Sequence, residues 1–386
     1  MLLRRSALAA VGVALAVGLT APPAHAAQTT TDPAPAAAGW LADQLVDGQF
    51  LLFAGTEFPD PGLTVDATLA FAAAGVAGAD ADAAMAWLSD PAVITSYVGD
   101  GELEIYAGAH AKLAFGAQVH GLDPTSFGGV DLLERLRGLQ DGTGRFLDTS
   151  EFGEFSNAFS QSFAILALAG APDGTAPEPL DLAVDFQLSA QCPDGGFPEQ
   201  FGTETCQSDV DSTAMVGQAL LAAGEDPAAA LDWLAGQQQT DGSYGGNANS
   251  TGLAAQALRA GARDEAADRA VTFLTELQVG CAGPADLRGS VPTTAQAAGD
   301  APRATAQAIL GLVGTGLAEL DGTTAEAEAP VLHCEAIPSP SPSAPPSGAG
   351  GELPVTGSPV VLLLAAGAAL AGAGGVTVWA ARLRRR

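Results

Sequence analysis

A seven-residue pattern, in which Gln is followed by three residues, Gly, one more residue and an aromatic residue, occurs four times in this chain. The matches are QLVDGQF from Gln44, QDGTGRF from Gln140, QCPDGGF from Gln191 and QQTDGSY from Gln238. The last three begin 51 and 47 residues apart, and the first lies 96 residues before the second. A repeat of this period is one supersecondary unit that buries its apolar face against neighbouring copies. We therefore expect an array of such units.

Two further copies have diverged. The long gap leaves room for one copy around Trp87 to Ile105, with Gly99-Asp100-Gly101 as its turn. Another begins at Gln278, where Ala282 stands at the glycine position. The sequence thus predicts six units, in which the Gln ties the loop backbone, Asp-Gly forms the turn and the aromatic residue packs between neighbouring units.

Each unit also contains an alanine-rich run with the periodicity of a helix. Most of these runs end in glycine, a common helix C-cap, and each follows a more polar segment of helix length. A helix that is apolar on all sides is buried on all sides, so the runs predict an inner ring of six helices inside an outer ring. The chain is expected to be all-α, an (α/α)6 toroid of six helical hairpins over residues 38–335. The six runs begin at Asp66, Ala109, Phe159, Asp211, Asn249 and Arg303.

The repeated pattern resembles the QW repeats of the squalene cyclase and protein prenyltransferase superfamily, with Phe or Tyr where Trp is usual. This resemblance implies an α/α toroid, a fold also found in thioester domains of complement-like proteins and in cobalamin carriers. It implies no particular chemistry, because function resides in sites added to a fold.

The segment SDVDSTAM resembles the DxDDTA motif of class II terpene cyclases, whose middle aspartate protonates an alkene or an epoxide. By that resemblance Asp209 is the first acid and Asp211 the proton donor, whereas Ser212 replaces the last acid. The alternative is structural: Asp66, Asp211 and Asn249 are assigned to one repeat position before a helix, where Asp and Asn are preferred N-caps. Capping is the favoured interpretation.

Both ends of the chain carry targeting signals. Residues 1–26 combine Arg4 and Arg5, an apolar run and small residues at a cleavage site, which is typical of a secretory signal peptide. The mature chain is expected to begin near Ala27, with residues 27–37 disordered. Residues 336–352 are rich in Pro, Ser and Gly, which favours an extended linker that crosses the cell wall.

The C-terminal segment, residues 353–386, contains LPVTG, an uncharged transmembrane stretch over 360–381 and a basic tail. This order resembles the sortase sorting signal of Gram-positive bacteria, with the motif at Leu353, Pro354, Val355, Thr356 and Gly357. The resemblance implies that a sortase cleaves after Thr356 and links Thr356 to peptidoglycan. The protein would then be in the membrane only before that cleavage.

Four cysteines lie between the two end segments. Outside the cytoplasm an even number favours disulfides, and three pairings are possible. We favour Cys192 with Cys206 and Cys281 with Cys334, because each pair closes a local loop. A metal site is the weaker interpretation, since no CxxC or histidine-rich spacing accompanies the cysteines. No metal or other cofactor is predicted.

The chain is strongly acidic, with 15 Lys and Arg against 44 Asp and Glu. Six of the basic residues lie in the two end segments, so the mature domain is more acidic than the whole chain. Nucleic acid is excluded as a partner, because binding phosphates requires a basic surface.

These observations predict a secreted, wall-attached toroid that binds an unknown extracellular ligand or partner, at the mouth or in the central cavity, without catalysis. One alternative is a terpene-cyclase-like enzyme with Asp211 as general acid. Such enzymes stabilise carbocations on many aromatic faces, and this chain has only 15 Phe, 4 Trp and 3 Tyr. A small-molecule binder resembling the cobalamin carriers is a further alternative. A glycosidase also remains open, because the spatial pairing of carboxylates is not visible in a sequence.

Overall fold

The computed structural model describes residues 28–51, 58–171, 177–296 and 301–335. Within these ranges no helix is long and apolar enough to cross a bilayer. The predicted signal peptide, the linker, the LPVTG motif and the span over 360–381 lie outside the described residues. The described helices are α1 Pro33–Ala42, α2 Pro61–Ala74, α3 Gly78–Leu88, α4 Pro91–Val98, α5 Ala107–Val119, α6 Leu132–Gly138, α7 Ala158–Ala169, α8 Pro177–Ser189, α9 Val210–Ala222, α10 Ala228–Gln237, α11 Ala248–Ala260, α12 Asp264–Leu277 and α13 Ala301–Val313.

Six of these helices form a closed inner ring. They are α2, α5, α7, α9, α11 and α13, and each packs against the next, with α13 returning to α2. All six coincide with the alanine-rich runs, and their small side chains let the helix backbones approach closely. Gly252 of α11, for example, lies so close to α13 that an added Cβ would be 2.3 Å from the carbonyl oxygen of Gln307. The predicted inner ring and helical toroid are confirmed.

The outer ring has six positions but seven helices. Its members are α1, the pair α3 and α4, α6, α8, α10 and α12, each packed on its neighbouring inner helices. The second position is split because Pro91 lacks the N–H that would continue α3. Asp90 instead caps the new helix α4, accepting a hydrogen bond from the backbone N–H of Ala92 at 2.8 Å. Six hairpins are therefore present, one of them with a broken outer helix.

The repeated Gln fastens three of the hairpins to the next, through Gln140, Gln238 and Gln278. Gln238 Nε2 donates to the carbonyl oxygen of Gly242 in its own turn, at 2.9 Å, and to that of Ala266 in α12, at 2.8 Å. The aromatic residue is fixed as well, because the N–H of Tyr244 donates to Thr251 Oγ1 in α11, at 3.0 Å. The predicted role of the Gln in tying the loop backbone is therefore confirmed at this turn, and the aromatic residue is buried.

The glycine of the pattern is required by close packing. Gly242 has φ +86°, and a Cβ there would lie 2.3 Å from the carbonyl oxygen of Arg269 in the next outer helix. In the sixth unit Gly289, with φ +95°, has this role, and Gln278 Nε2 donates to its carbonyl oxygen at 2.9 Å. The assignment of Ala282 to the glycine position was wrong, because a longer loop separates Gln278 from the turn.

The expected disorder of residues 27–37 is not observed in the described part of that segment. Helix α1 begins at Pro33, and Ala36 and Ala37 are buried. Proline at the first helical turn has its ring preset for a helix and needs no hydrogen bond from its nitrogen. Gln278 Nε2 also donates to the carbonyl oxygen of Pro33, at 2.8 Å, so the last hairpin is fastened to the first. The toroid therefore starts at Pro33 and not at residue 38.

Short strands fix the chain ends and one loop. Strand β1, Thr29–Thr30, pairs in parallel with β4, Val331–Leu332, while β2, Phe197–Pro198, pairs antiparallel with β3, Ser208–Asp209. Both predicted disulfides, Cys192–Cys206 and Cys281–Cys334, are present, each with Cα atoms 5.5 Å apart. The second disulfide ties the end of the folded chain to the loop that follows α12.

Candidate functional site

A cavity of about 180 Å³ lies on the axis of the ring and is lined by residues from all six inner helices. Larger clefts lie on the outer surface beside residues 198–209, but no ring of helices converges on them. We call the end of the cavity where the inner helices begin the mouth. The lining residues are Asp66, Leu69, Lys112, Phe159, Phe163, Met215, Leu253, Gln256, Arg303, Gln307, Leu310 and Leu317.

The opposite end of the cavity is closed by the chain that follows α13. Leu317 reaches the cavity, and its N–H donates to Gln218 Oε1 at 2.8 Å. Gln256 Nε2 donates to the carbonyl oxygen of Thr315 at 2.7 Å, and Gln218 Nε2 donates to Gln256 Oε1 at 2.8 Å. Two glutamines of neighbouring inner helices thus hold the floor, which leaves the mouth as the route of entry.

One repeat position supplies half of the lining. When the helices are aligned on their repeat turns, each inner helix contributes an equivalent residue to the cavity wall. These residues are Asp66, Lys112, Phe163, Met215, Leu253 and Gln307.

Four charged residues near the mouth form the charged cluster: Asp60, Asp66, Lys112 and Arg303. Lys112 Nζ lies 2.6 Å from Asp66 Oδ1, and Arg303 Nη1 lies 3.5 Å from Asp66 Oδ2. Arg303 Nη2 lies 3.0 Å from Asp60 Oδ2. The Asp66 and Lys112 side chains are each only 14% exposed, so their mutual pairing compensates the cost of removing both charges from water.

Two aromatic residues border the charged cluster. The ammonium of Lys112 lies 5.6 Å from the ring centre of Phe163, within the range of a cation–π interaction. Tyr97 of α4 is partly buried beside the cluster, and desolvation, followed by the negative charges of Asp66 and Asp60, raises the pKa of its hydroxyl. The Tyr97 hydroxyl is therefore protonated at neutral pH.

The N-cap of α9 is Asp209 and not Asp211. Asp209 Oδ1 accepts a hydrogen bond from the N–H of Ser212 at 2.8 Å, whereas Asp211 lies within the first turn of the helix. Asp60 caps α2 in the same way. The expectation that Asp66, Asp211 and Asn249 share one repeat position was also wrong, because Asp66 lies one turn further along its helix.

Asp211 is held in a poorly solvated environment. Among the described residues its Oδ1 is buried without a hydrogen-bond partner. Burial raises the pKa of its carboxyl, a hydrogen bond with Ser250 opposes that rise, and the charges of Asp209 and Glu199 add to it. Asp211 does not itself line the cavity, but it lies one turn before Met215, on the same face of α9.

His110 belongs to the scaffold and not to the cavity wall. It occupies the repeat position of Thr251, and its Nδ1 lies 2.9 Å from the carbonyl oxygen of Tyr106. Burial lowers the pKa of His110 to about 4, so the ring is neutral at neutral pH. Within the described ranges no three His, Cys, Asp or Glu side chains are grouped to hold a metal ion.

Lys112 and Arg303 were not identified as site residues from the sequence. A signal was available, because Lys112 is the one Lys, Arg, Asp or Glu in a largely apolar helix, AGAHAKLAFGAQV. Such a charge is expensive to bury without a partner, so it indicates a site.

No protein-family model matches this chain, and no similar curated protein was found. Three solved structures are similar over 73% of this chain. A protein from Actinoplanes has 19% sequence identity and a TM-score of 0.53, with 99% of that chain covered. The type II terpene cyclase MstE from Scytonema has 16% identity, 96% coverage and a TM-score of 0.51, and a glycosidase has 14% identity, 98% coverage and a TM-score of 0.50. At this identity the likeness shows the fold alone, a helical toroid.

Proposed function

We propose that this protein is a secreted surface protein that a sortase attaches to peptidoglycan through Thr356, and that its central cavity binds a small molecule without changing it chemically. The sequence signals of a signal peptide and of LPVTG support secretion and attachment to the cell wall. The two disulfides agree with it, because disulfides persist in oxidising compartments.

The assignment of a non-catalytic function depends on the charged side chains that line the cavity. Among the described residues that line the cavity, Asp66 has the one carboxyl group, and each of its oxygens faces a cation. A glycosidase of the usual kind needs two carboxyl groups on either side of the bond that it cleaves. A general acid must be free to give a proton to the substrate, and both oxygens of Asp66 are instead paired with Lys112 and Arg303.

The cavity also defines the ligand. Its volume of about 180 Å³ is below the usual range for sites that hold drug-sized molecules. One side offers the N–H donors of Lys112 and Arg303, and the other side offers the apolar surfaces of Phe163, Met215 and Leu253. A small amphipathic molecule, with a hydrogen-bond acceptor at one end and a hydrocarbon part at the other, complements both sides.

Binding can be tested with a set of small carboxylates, amides and alcohols that carry short hydrocarbon chains, using thermal shift and then calorimetry. We expect at least one to stabilise the wild type, and Leu253→Phe, which fills the apolar side, to abolish that effect. Leu188→Phe, on the outer helix α8, is the matched control and should bind as the wild type does. Equal binding by Leu253→Phe would remove the cavity as the site, and conversion of the ligand on incubation would refute the non-catalytic assignment.

The address is tested separately with Thr356→Ala. We expect the wild type to remain with purified, boiled cell wall until the wall is digested enzymatically. The variant should be recovered from the membrane or the medium instead, because a sortase that recognises the LPVTG motif would no longer cleave after residue 356. Release of the variant from digested wall would show that attachment does not use this motif.

A terpene-cyclase-like enzyme is the second candidate, and the environment of Asp211 favours it. A carboxyl with a raised pKa above the apolar side of a cavity is a possible proton donor. The test is incubation of the wild type and Asp211→Asn with squalene and shorter prenyl substrates. If the wild type forms a cyclised product and Asp211→Asn does not, the protein is an enzyme and not a binding module.

A further inference from the structure

Two neighbouring loops at the mouth form a separate surface, which we call the rim loops: residues 99–106, before α5, and residues 147–157, before α7. They are joined by backbone hydrogen bonds between Ile105 and Thr149, at 2.8 and 2.9 Å. The N–H of Glu151 also donates to Glu104 Oε1, at 3.2 Å. The two loops therefore form one structural unit.

The rim loops expose large apolar side chains. Leu103 is 74% exposed, Phe152 is 72% exposed and Phe155 is 58% exposed. Single exposed apolar residues are common on soluble proteins, but a group of large ones within one structural unit marks an interaction surface.

The same loops carry six acidic residues and no Lys or Arg: Asp100, Glu102, Glu104, Asp148, Glu151 and Glu154. Several of them fix the backbone. Asp100 Oδ1 accepts from the N–H groups of Glu102, Leu103 and Glu104, and these bonds hold the pKa of Asp100 below its usual range.

The second loop is fixed in the same manner. Asp148 accepts from the N–H of Ala107, at 2.7 Å, and from the N–H of Phe155, at 3.3 Å. Glu154 accepts from the N–H groups of Ser156 and Asp148, at 2.6 and 3.1 Å. The apolar side chains thus project from an ordered backbone that is surrounded by carboxylate side chains. Because the loops are already ordered, little conformational entropy is lost when a partner binds.

We propose that the rim loops are a docking site for a cationic amphipathic segment of another protein. Leu103, Phe152 and Phe155 would contact its apolar side chains, and the surrounding carboxylates would contact its Lys and Arg residues. A buried apolar centre with complementary charges around it is the usual arrangement of a specific protein interface. This site lies outside the cavity and does not depend on the small-molecule ligand.

The charge of the rim loops decides between possible occupants. Each copy of this chain has six carboxylates on the rim loops against the single guanidinium of Arg135 beside Gly101, so a second copy would be repelled, as would an anionic membrane surface. A basic segment is attracted instead, and the attraction should weaken as salt is added. A cationic partner is therefore the occupant that both the apolar and the charged side chains fit.

The test uses the folded domain and a helical peptide with leucine on one face and lysine on the other, with fluorescence anisotropy as the readout. A second peptide has glutamate in place of every lysine. We expect the wild type to bind the lysine peptide, with an affinity that falls as salt rises, and not the glutamate peptide. Equal binding of the two peptides, or no binding of the lysine peptide, would overturn the proposal.

Variants locate the site. Phe152→Ser with Phe155→Ser should weaken binding of the lysine peptide by about tenfold or more, because aromatic anchors carry much of the energy of an interface. Glu102→Gln with Glu151→Gln should weaken it at low salt and flatten its salt dependence. Leu188→Ser, an exposed residue of α8, is the control and should bind as the wild type does.

Two further results separate this proposal from the others. Leu253→Phe should bind the lysine peptide normally even if it loses the small ligand, because the cavity is not part of the rim loops. Unchanged affinity in the Phe152 and Phe155 double variant would refute the rim site even if the peptide binds elsewhere. Binding of anionic vesicles, or dimerisation of the wild type that this double variant abolishes, would favour another occupant.

Discussion

The inner ring has a polar side and an apolar side. Helices α13, α2 and α5 are consecutive around the ring and present Gln307, Asp66 and Lys112 to the cavity, whereas α7, α9 and α11 present Phe163, Met215 and Leu253 from the same repeat position. The turns differ as well, because those before α7, α9 and α11 match the Gln-x3-Gly-x-aromatic pattern in full, whereas those before α5 and α13 have diverged. The residues of the turns are nevertheless separate from the repeat position that lines the cavity.

Because the polar side contains largely buried charges, we expect a substitution there to lower the free energy of unfolding more than one at the equivalent position on the apolar side. Lys112→Met should lower the free energy of unfolding by about 3 kcal/mol, because it leaves Asp66, which is largely buried, with only the long 3.5 Å contact to Arg303. Urea unfolding measures the loss. Met215→Leu, at the equivalent position on the apolar side, conserves volume and should cost less than about 1.5 kcal/mol.

A second variant checks the cause of that loss. Adding Asp66→Asn to Lys112→Met removes the unpaired charge and should recover part of the stability, which a double-mutant cycle detects. If Lys112→Met costs no more than Met215→Leu, the charged cluster does not stabilise the polar side.

The shared scaffold should be sensitive at the glycine that touches the next hairpin. Gly242→Ala combines an unfavourable φ with a clash against Arg269 and should cost about 2 kcal/mol. Gly245→Ala, in the same turn, has φ +66° and open space around its Cβ position, so only the backbone strain of about 1 kcal/mol applies. Equal melting temperatures for the two variants would show that the close contact is unimportant.

Two aspartates on the apolar side should respond differently to alanine. Asp209→Ala removes the N-cap of α9 and should cost about 0.5 to 2 kcal/mol. Asp211→Ala removes no cap and should be close to neutral in thermal unfolding. The reverse order of effects would restore Asp211 as the capping residue.

The smallest effect concerns the charge of Asp211. Because its pKa in the folded protein is raised above the ordinary value of 3.8, ionised Asp211 destabilises the fold at neutral pH. Asp211→Asn should therefore be slightly more stable than the wild type at pH 7. That advantage should disappear as the pH falls below 3.8, where the carboxyl is protonated in both the folded and the unfolded states. A pH-independent difference would argue against burial of the charge.

The fold was accessible from the sequence because its signals are local and repeated. The Gln, Gly and aromatic residues recur in phase, and the inner helices differ from the outer ones in composition. The errors lie where one copy departs from the others. Gln278 is separated from Gly289 by an enlarged loop, and Pro33 starts a helix within a segment whose composition is typical of disorder.

The site was less accessible because it depends on register between helices that are distant in sequence. Asp66, Lys112 and Arg303 meet only when α5 and α13 both pack against α2, and their alignment requires the correct capping residue of each helix. With Asp211 chosen as the cap, the predicted start of α9 was two residues too late. Asp66 was aligned with Asp211 although it lies one helical turn further along its own helix. The rim loops were missed for a similar reason, since Ile105 and Thr149, which join the two loops, are paired only in the folded structure.

The disulfide between Cys281 and Cys334 also determines how the domain bears tension. Cys334 is one residue from the end of the described chain, and Cys281 lies in the loop after α12. A pull on the chain beyond Cys334 therefore passes through a covalent bond into the outer ring. It bypasses residues 315–333, which close the cavity floor through hydrogen bonds to Gln218 and Gln256. Under mechanical force the oxidised domain should keep its floor in place, whereas reduction would let the same force peel that segment away first.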